Sequence, residues 1–460
     1  MQKTPGAKFI QSLFDIKSLP KDAQKILQDF DQIAQAAMPA NSKQLVALPK
    51  IIRELSHQMT DDRGSRRLGY MNEKTFLSAY VRYFMWWNLV RLTRLFANLD
   101  FGFLRDGDVC LDIGSGPLTL VCALWLARPD LRDKKLVWYA MDISQLALSA
   151  GEEIFLSVAA ATGGEPWKII RVKGELGTAI KQKAAFVTCA NMFNEILQKQ
   201  SEPPDYLAKK YSQALFKYLD FGTEEKRGGQ GVEGGQERQN SPAIFLAEPG
   251  TPGSGRFVSL MRDSFIRRGL LAAAPCPHQC ACPMDGRRAG KGGATGKWCN
   301  FAFETDDAPK KLLALSAKSG IPKERAVLSF VMAVSFPRPD AETLASPKSA
   351  AETVGKPKTG APAQESFASP KSGGRIRIAS DIIRVPAGEP GQKPRVGHYA
   401  CSERGLVLAL SSGGRRVYSG DLLELELETD ASPKSGRRSS GKSTSSGLRD
   451  AKSGAIIVEI

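Results

Sequence analysis

The sequence DVCLDIGSGPLT, residues 108–119, combines a short apolar strand, a glycine turn and the start of a helix. Gly114 and Gly116 allow the backbone to turn sharply and to approach a ligand closely. The amino terminus of the following helix adds free N–H groups and partial positive charge. Asp112 ends this strand and Asp142 ends the next, where a carboxylate can accept the hydroxyls of a ribose. The pattern predicts a site for a nucleotide-like cofactor.

Short apolar runs alternate with helical patterns from residue 108 onward, in VCLDIG, KLVWYAMDIS, WKIIRVKG, FVTCANMFNEI and AIFLAEPG. This alternation predicts a doubly wound α/β sheet. The strand, glycine turn and helix resemble those of methyltransferases, and this resemblance implies that Asn191, Asn194 and Glu195, after the fourth strand, contact a substrate or the cofactor, with Asn191 as a cofactor contact. No catalytic residue follows from the sequence.

The region before the sheet carries helical periodicity, beginning with Ile10, Leu13 and Phe14. The stretch TFLSAYVRYFMWWNLVRLTRLFANL predicts a long buried helix or a helix pair, with its aromatic side chains in a core. The alternative is that these aromatic side chains stack on bases.

The chain of 460 residues has 64 Lys and Arg against 48 Asp and Glu, a net charge of +16. Such an excess favours a polyanionic partner, most often nucleic acid. No apolar run reaches the ~18 residues that cross a bilayer, and the first residues lack the features of a secretory or mitochondrial leader. We therefore expect a cytoplasmic protein with no membrane partner.

Four cysteines lie close together in APCPHQCACPM and KWCNF, namely Cys276, Cys280, Cys282 and Cys299, and Cys401 follows alone in RVGHYACSERG. In a reducing compartment, thiols gathered this way hold a metal more often than they form disulfides. Tetrahedral zinc and an iron–sulfur cluster are both open, because His278 and Cys280 add possible zinc ligands. The plain alternative is a loop with free thiols.

The glycine turn resembles the first motif of the class I S-adenosylmethionine methyltransferases, with Asp112, Gly114 and Gly116 at matching positions and Leu118 in place of the third glycine. A nicotinamide-binding fingerprint fits less well, because Thr119 stands where it has glycine. The resemblance implies that S-adenosylmethionine binds here, and Leu118 is expected to crowd its methionine end.

The phrases LDIGSGP, FLAEPGTPGSGR, APCPH, WCNF and GHYACSERG resemble, in order, the Rsm22 family, the methyltransferase-like seventeen group. The resemblance implies a methyltransferase-like fold, association with the small ribosomal subunit, and a 4Fe–4S cluster. It places the cluster ligands at Cys276, Cys282, Cys299 and Cys401. Cys280 has no counterpart in the family pattern.

These inferences together predict a monomer that binds the small ribosomal subunit or its precursor and its rRNA, and that acts in subunit assembly and translation. The alternatives are a catalytically active ribosomal RNA methyltransferase and a redox or iron-sensing cluster protein. The predicted parts are a helical amino-terminal region (1–105), a methyltransferase-like Rossmann domain with a flexible insertion at 222–242 (106–265), a cysteine-rich region with the last sheet strand (266–339), a disordered insertion (340–374), a small β unit carrying Cys401 (375–428) and a low-complexity tail (429–460).

Overall fold

The computed structural model describes residues 7–60, 69–222, 241–287, 296–335, 374–385, 395–411, 416–425, 449–450 and 452–460. Most of the predicted insertions and most of the predicted tail lie outside the described residues, and so do the three copies of the sequence ASPKS, at 345–349, 368–372 and 431–435. Among the described residues, no helix combines the length and the apolar character needed to cross a membrane.

The strands of the described chain are β1 (Lys8–Ser12), β2 (Val109–Ile113), β3 (Val137–Asp142), β4 (Lys168–Lys173), β5 (Phe186–Ala190), β6 (Ala243–Glu248), β7 (Leu271–Ala274), β8 (Phe301–Glu304), β9 (Arg325–Val334), β10 (Gly374–Ile378), β11 (Ile383–Val385), β12 (Arg395–Ser402), β13 (Gly405–Leu410), β14 (Asp421–Leu425) and β15 (Ile456–Glu459). The α-helices are α1 (Lys21–Gln28), α2 (Phe30–Ala37), α3 (Ser42–Thr60), α4 (Lys74–Ala79), α5 (Trp86–Phe96), α6 (Thr119–Ala127), α7 (Pro129–Arg132), α8 (Gln145–Thr162), α9 (Phe193–Ile196), α10 (Pro204–Phe216), α11 (Pro252–Arg267) and α12 (Lys310–Lys318).

The central sheet has the strand order β4-β3-β2-β5-β6-β9-β7, with β8 paired to β9. Strands β2 to β6 pair in parallel, whereas β9 runs antiparallel to both β6 and β7. Because the order reverses at β2, the loops after β2 and β5 diverge and leave a crevice at the carboxyl ends of these strands. One reversed strand inserted next to the last parallel strand is the arrangement of class I methyltransferases. The predicted α/β sheet is confirmed.

Both faces of the sheet are covered by helices, which explains why its strands are continuous apolar runs. Strand β6 is buried along its whole length, and the short helix α6 is buried on every side. In the aromatic stretch, α4 and α5 are joined by a π-helical segment, Tyr80–Met85. Tyr83, Trp86 and Trp87 are at most 2% exposed, so the core interpretation is correct for these rings and they are not available for stacking on bases. Tyr80 and Phe84 are half-buried.

A second sheet has the order β1-β14-β10-β12-β13-β15, with β11 paired to β12. The helical prediction at the start of the chain is wrong for Lys8–Ser12, because this segment pairs antiparallel with β14. The predicted tail also contributes a strand, since β15 pairs in parallel with β13. Backbone hydrogen bonds to distant strands override the local pattern in both cases.

Candidate functional site

The glycine turn after β2 has the backbone conformation that its sequence predicts. Gly114 and Gly116 have positive φ angles of 69° and 50°. A Cβ at Gly114 would lie 2.8 Å from Cγ of Met192, so this position requires glycine for space as well as for conformation. The turn is anchored by the Gly114 and Ser115 N–H groups, which both donate to the carbonyl of Met141 on β3.

Leu118 occupies the third glycine position without entering the cleft. It keeps a left-handed conformation, with φ 56°, and it is fully buried. Its side chain packs against Gly151 of α8, where an added Cβ would lie 2.6 Å from Leu118 Cδ1. The expectation that Leu118 crowds the methionine end of a cofactor is therefore wrong, because Gly151 provides the space that the side chain needs.

Asp112 and Asp142 have different structural roles, and Asp112 is the more buried of the two. Asp112 is 1% exposed and accepts hydrogen bonds from the hydroxyls of Ser115 and Thr188, both at 2.7 Å. Burial raises the pKa of Asp112 to about 7. Its carboxylate ties the glycine turn to β5, although it also borders the cleft. Its burial leaves it less accessible to a ligand than Asp142.

Asp142 lies at the carboxyl end of β3 and remains partly exposed. Its two carboxylate oxygens accept the N–H groups of Gly116, at 2.9 Å, and Ser144, at 2.8 Å. Burial raises its pKa, against the effect of these donors. Asp142 lines the cleft, and a carboxylate at the end of this strand can accept hydrogen bonds from ribose hydroxyls.

The cleft around this turn is also lined by the amino-terminal region, which the sequence did not identify as a contributor. Its residues there are Gly69, Tyr70, Met71, Tyr80, Asn88 and Leu92. Met71 lies over the turn, since its Sδ is 3.6 Å from the position of a Cβ at Gly116. These contacts join segments far apart in the chain, and no local pattern marks them.

The loop after β5 forms the facing wall. Asn191 has a positive φ of 59° and donates its N–H to the Ala247 carbonyl at 2.8 Å. Asn191 and Glu195 border the cleft, and Glu195 Oε1 accepts the Tyr70 hydroxyl at 3.4 Å. Asn194, the third predicted residue, does not line the cleft in the described structure.

Glu248 is a buried residue that the sequence analysis missed, although it begins the EPGTP motif. Its two oxygens accept the N–H groups of Phe193 and Asn194, each at 2.9 Å. Burial raises the pKa of Glu248 to about 8. Glu248 therefore fixes the loop that carries Asn191, and it acts on the cleft through that loop.

The structure brings the four predicted metal ligands into one neighbourhood. Cys401 is buried in β12, and burial together with the thiols of Cys276 and Cys282 raises its pKa. Burial also raises the pKa of Cys299, and among the neighbouring thiols Cys401 contributes most to this increase. Cys280 is exposed and takes no part in these thiol interactions.

Two buried arginines face these thiols, and no local sequence pattern marks them. Arg262 of α11 donates from Nε to Cys276 Sγ at 3.0 Å and from Nη2 to the His278 carbonyl at 2.8 Å. Arg377 of β10 donates to the carbonyls of Pro275, at 2.9 Å, and Gly420, at 2.7 Å. Each is 3% exposed, so the two guanidinium groups supply positive charge where thiolates would be desolvated.

The fit of this region to a metal group rests on its donor chemistry. Soft thiols suit zinc or an iron–sulfur cluster, and neither ring nitrogen of buried His278 has a hydrogen-bond partner among the described residues. The backbone of Cys280 lies close to that ring without hydrogen-bond geometry. In the described chain, no three His, Cys, Asp or Glu side chains meet in a metal-holding arrangement. The metal ligands therefore stay a prediction.

The strand order and the glycine turn define a methyltransferase-like α/β fold, with a cleft at the carboxyl ends of its parallel strands. The family described as mitochondrial small ribosomal subunit Rsm22 matches residues 236–361. This segment is about a quarter of the chain and contains the EPGTP motif, Cys276, Cys282 and Cys299. The resemblance to that family is confirmed over these residues.

Several solved methyltransferase structures are similar to the chain. A SAM-dependent methyltransferase from Geobacter sulfurreducens in complex with S-adenosyl-L-homocysteine is 13% identical, with 55% of this chain and 90% of that chain covered and a TM-score of 0.27. Magnesium protoporphyrin IX methyltransferase from Synechocystis PCC 6803 with bound SAM is 12% identical, with 63% and 97% covered and a TM-score of 0.28. No curated protein matches the chain. At these TM-scores the fold assignment rests on the strand order itself.

Proposed function

We propose that this protein binds S-adenosylmethionine and acts in the assembly of the small ribosomal subunit and in translation. The cleft at Gly114, Gly116 and Asp142 carries this proposal, because it joins a close-approach turn to a carboxylate suited to a ribose. The match of residues 236–361 to Rsm22 supports the ribosomal setting, and the net charge of +16 suits an RNA-rich partner. A monomer in the cytoplasm is part of the same proposal.

A 4Fe–4S cluster held by Cys276, Cys282, Cys299 and Cys401 is also proposed, with zinc as the second candidate. The support is that these thiols interact electrostatically in a region where Cys401 is buried and the other three are half-buried, facing Arg262 and Arg377. A bound cluster would add metal-binding energy to folding. It would also fasten β12 of the second sheet to the loop that follows β7.

A catalytically active ribosomal RNA methyltransferase is the second candidate function. It is favoured by Asn191 and Glu195, two polar side chains that border the cleft beside the glycine turn. Groups in that position can orient a substrate atom toward a bound cofactor. A redox or iron-sensing role is the third candidate, and it depends on the cysteines alone.

The cofactor is tested by titrating the anaerobically purified protein with S-adenosylmethionine, S-adenosylhomocysteine and NADH in a calorimeter. We expect one-to-one binding of the first two and none of NADH, since the turn at Thr119 departs from the dinucleotide fingerprint. Binding of NADH alone would replace the cofactor assignment. If none of the three binds to protein that is folded, as a cooperative melting curve shows, the cleft is not a cofactor site.

A further inference from the structure

Arg91 and Lys323 form a pair of half-buried cations beside the cofactor cleft. Arg91 lies on α5 and donates from Nη1 to the Val327 carbonyl at 2.7 Å and from Nη2 to Oδ1 of Asn88. Asn88 itself lines the cleft. Lys323 lies just before β9, with its Nζ 5.6 Å from the centroid of the Trp87 ring. The two cations are close enough to interact electrostatically.

The topology places both cations at the ligand edge of the sheet. Strand β9 runs antiparallel to β6, with Ser329 opposite Glu248 at the carboxyl end of β6. Lys323 precedes β9, so it lies beyond the edge at which Gly114, Asp142 and Asn191 also lie. The loop after β6 packs against the first half of β9, since a Cβ at Gly250 would lie 2.3 Å from Val327 Cγ1.

Neither cation has a carboxylate partner among the described residues. Burial lowers the pKa of Arg91 to about 10, with Tyr80 as the opposing contributor, and burial and Arg91 lower the pKa of Lys323 to about 8. Two neighbouring cations in a partly desolvated position repel each other unless an anion lies between them. The ammonium of Lys323 makes no hydrogen bond in the described chain, so its donors remain available.

We propose that Arg91 and Lys323 bind a phosphate group of the ribosomal RNA on the side of the cleft away from the ribose site. This inference rests on the proposed function. The planar guanidinium matches phosphate oxygens and the lysine adds a mobile point charge. The pair would fix the RNA backbone so that a nucleotide lies against Asn191 and Glu195, which also border the cleft.

The test measures the affinity of two single-stranded RNA oligonucleotides of unrelated sequence by fluorescence anisotropy over a KCl series. Lys323→Gln should weaken both RNAs by about tenfold and lower the salt slope by about one, because one phosphate contact is lost. Lys323→Arg should restore most of the affinity. The control is Lys168→Gln, which removes an exposed lysine at the opposite edge, at the start of β4, and should change the affinity less than about twofold.

Arg91→Gln should reduce the RNA affinity more than Lys323→Gln does. Because it also removes the hydrogen bond to the Val327 carbonyl, its RNA affinity is compared only if its melting temperature equals that of the wild type. The pair could bind either an RNA phosphate or the carboxylate of S-adenosylmethionine, and titrations with S-adenosylmethionine run in parallel distinguish the two. Unchanged RNA affinity in Lys323→Gln, beside a wild type that binds RNA, overturns this inference and leaves the proposed function standing. Weaker S-adenosylmethionine binding with unchanged RNA affinity assigns the pair to the cofactor carboxylate and also overturns it. A wild type that binds neither RNA overturns both this inference and the proposed association with ribosomal RNA.

Discussion

Cys401→Ser is expected to lose its iron and to unfold at a much lower temperature than the wild type. Cys401 is the predicted ligand that β12 contributes, and its register partner on β10 is Arg377. Loss of the cluster removes metal-binding energy from folding. It also removes thiolate charge beside Arg377, which is 3% exposed, and removal of one partner of a buried charge pair costs up to about 3–5 kcal/mol. Asp421 near Arg377 and the ion pair of Arg262 with Asp263 keep this cost below that limit.

The measurement is iron and acid-labile sulfide per chain in anaerobically purified protein, together with a thermal melt. Cys280→Ser is the control, because Cys280 is exposed and lies between the predicted ligands Cys276 and Cys282. It should keep its iron and its melting temperature. Full iron content in Cys401→Ser would refute the ligand assignment, and stoichiometric zinc without iron in the wild type would replace the iron–sulfur cluster with a zinc site.

Asp142→Ala is expected to weaken S-adenosylmethionine binding by tenfold or more. The substitution removes a charge-assisted hydrogen bond to the ribose, which is worth ~1.5–3 kcal/mol. It also releases the N–H groups of Gly116 and Ser144 that the carboxylate now accepts, so the glycine turn loses an anchor. Both effects weaken the binding of S-adenosylmethionine.

Calorimetric titration gives the dissociation constants of the variants. Asp142→Asn separates the two effects, since the amide oxygen still accepts one backbone N–H while the charge is gone. Asp130→Ala is the control for loss of an acid elsewhere, because Asp130 pairs with Arg128 on the surface. If Asp142→Ala binds S-adenosylmethionine as tightly as the wild type, the ribose does not lie on Asp142.

The parts of the fold with strong local signals were predictable. Strand β2, the turn at Gly114 and Gly116, and Asp142 at the end of β3 follow from apolar runs, glycine chemistry and spacing. Each of these features is determined within a few residues, so a short stretch of sequence is enough to identify it.

The parts that depend on distant partners were not predictable. Strand β1 exists because Lys8–Ser12 pairs with β14, more than four hundred residues along the chain. The burial of Leu118 depends on Gly151, and the cleft wall at Tyr70 and Met71 depends on how the amino-terminal helices pack. In the same way, Arg262 and Arg377 come together at the cysteines only in the folded chain, because nothing in their own surroundings in the sequence distinguishes them from surface arginines.

Association with the small ribosomal subunit is the central claim, and sedimentation of cell extract on a sucrose gradient tests it most directly. At low salt, we predict that part of the protein travels with small subunits or their precursors. This fraction should fall steeply as salt increases, because phosphate contacts release counterions. Protein that stays wholly at the top of the gradient at low salt, even after crosslinking, would contradict the claim and favour the redox or iron-sensing role.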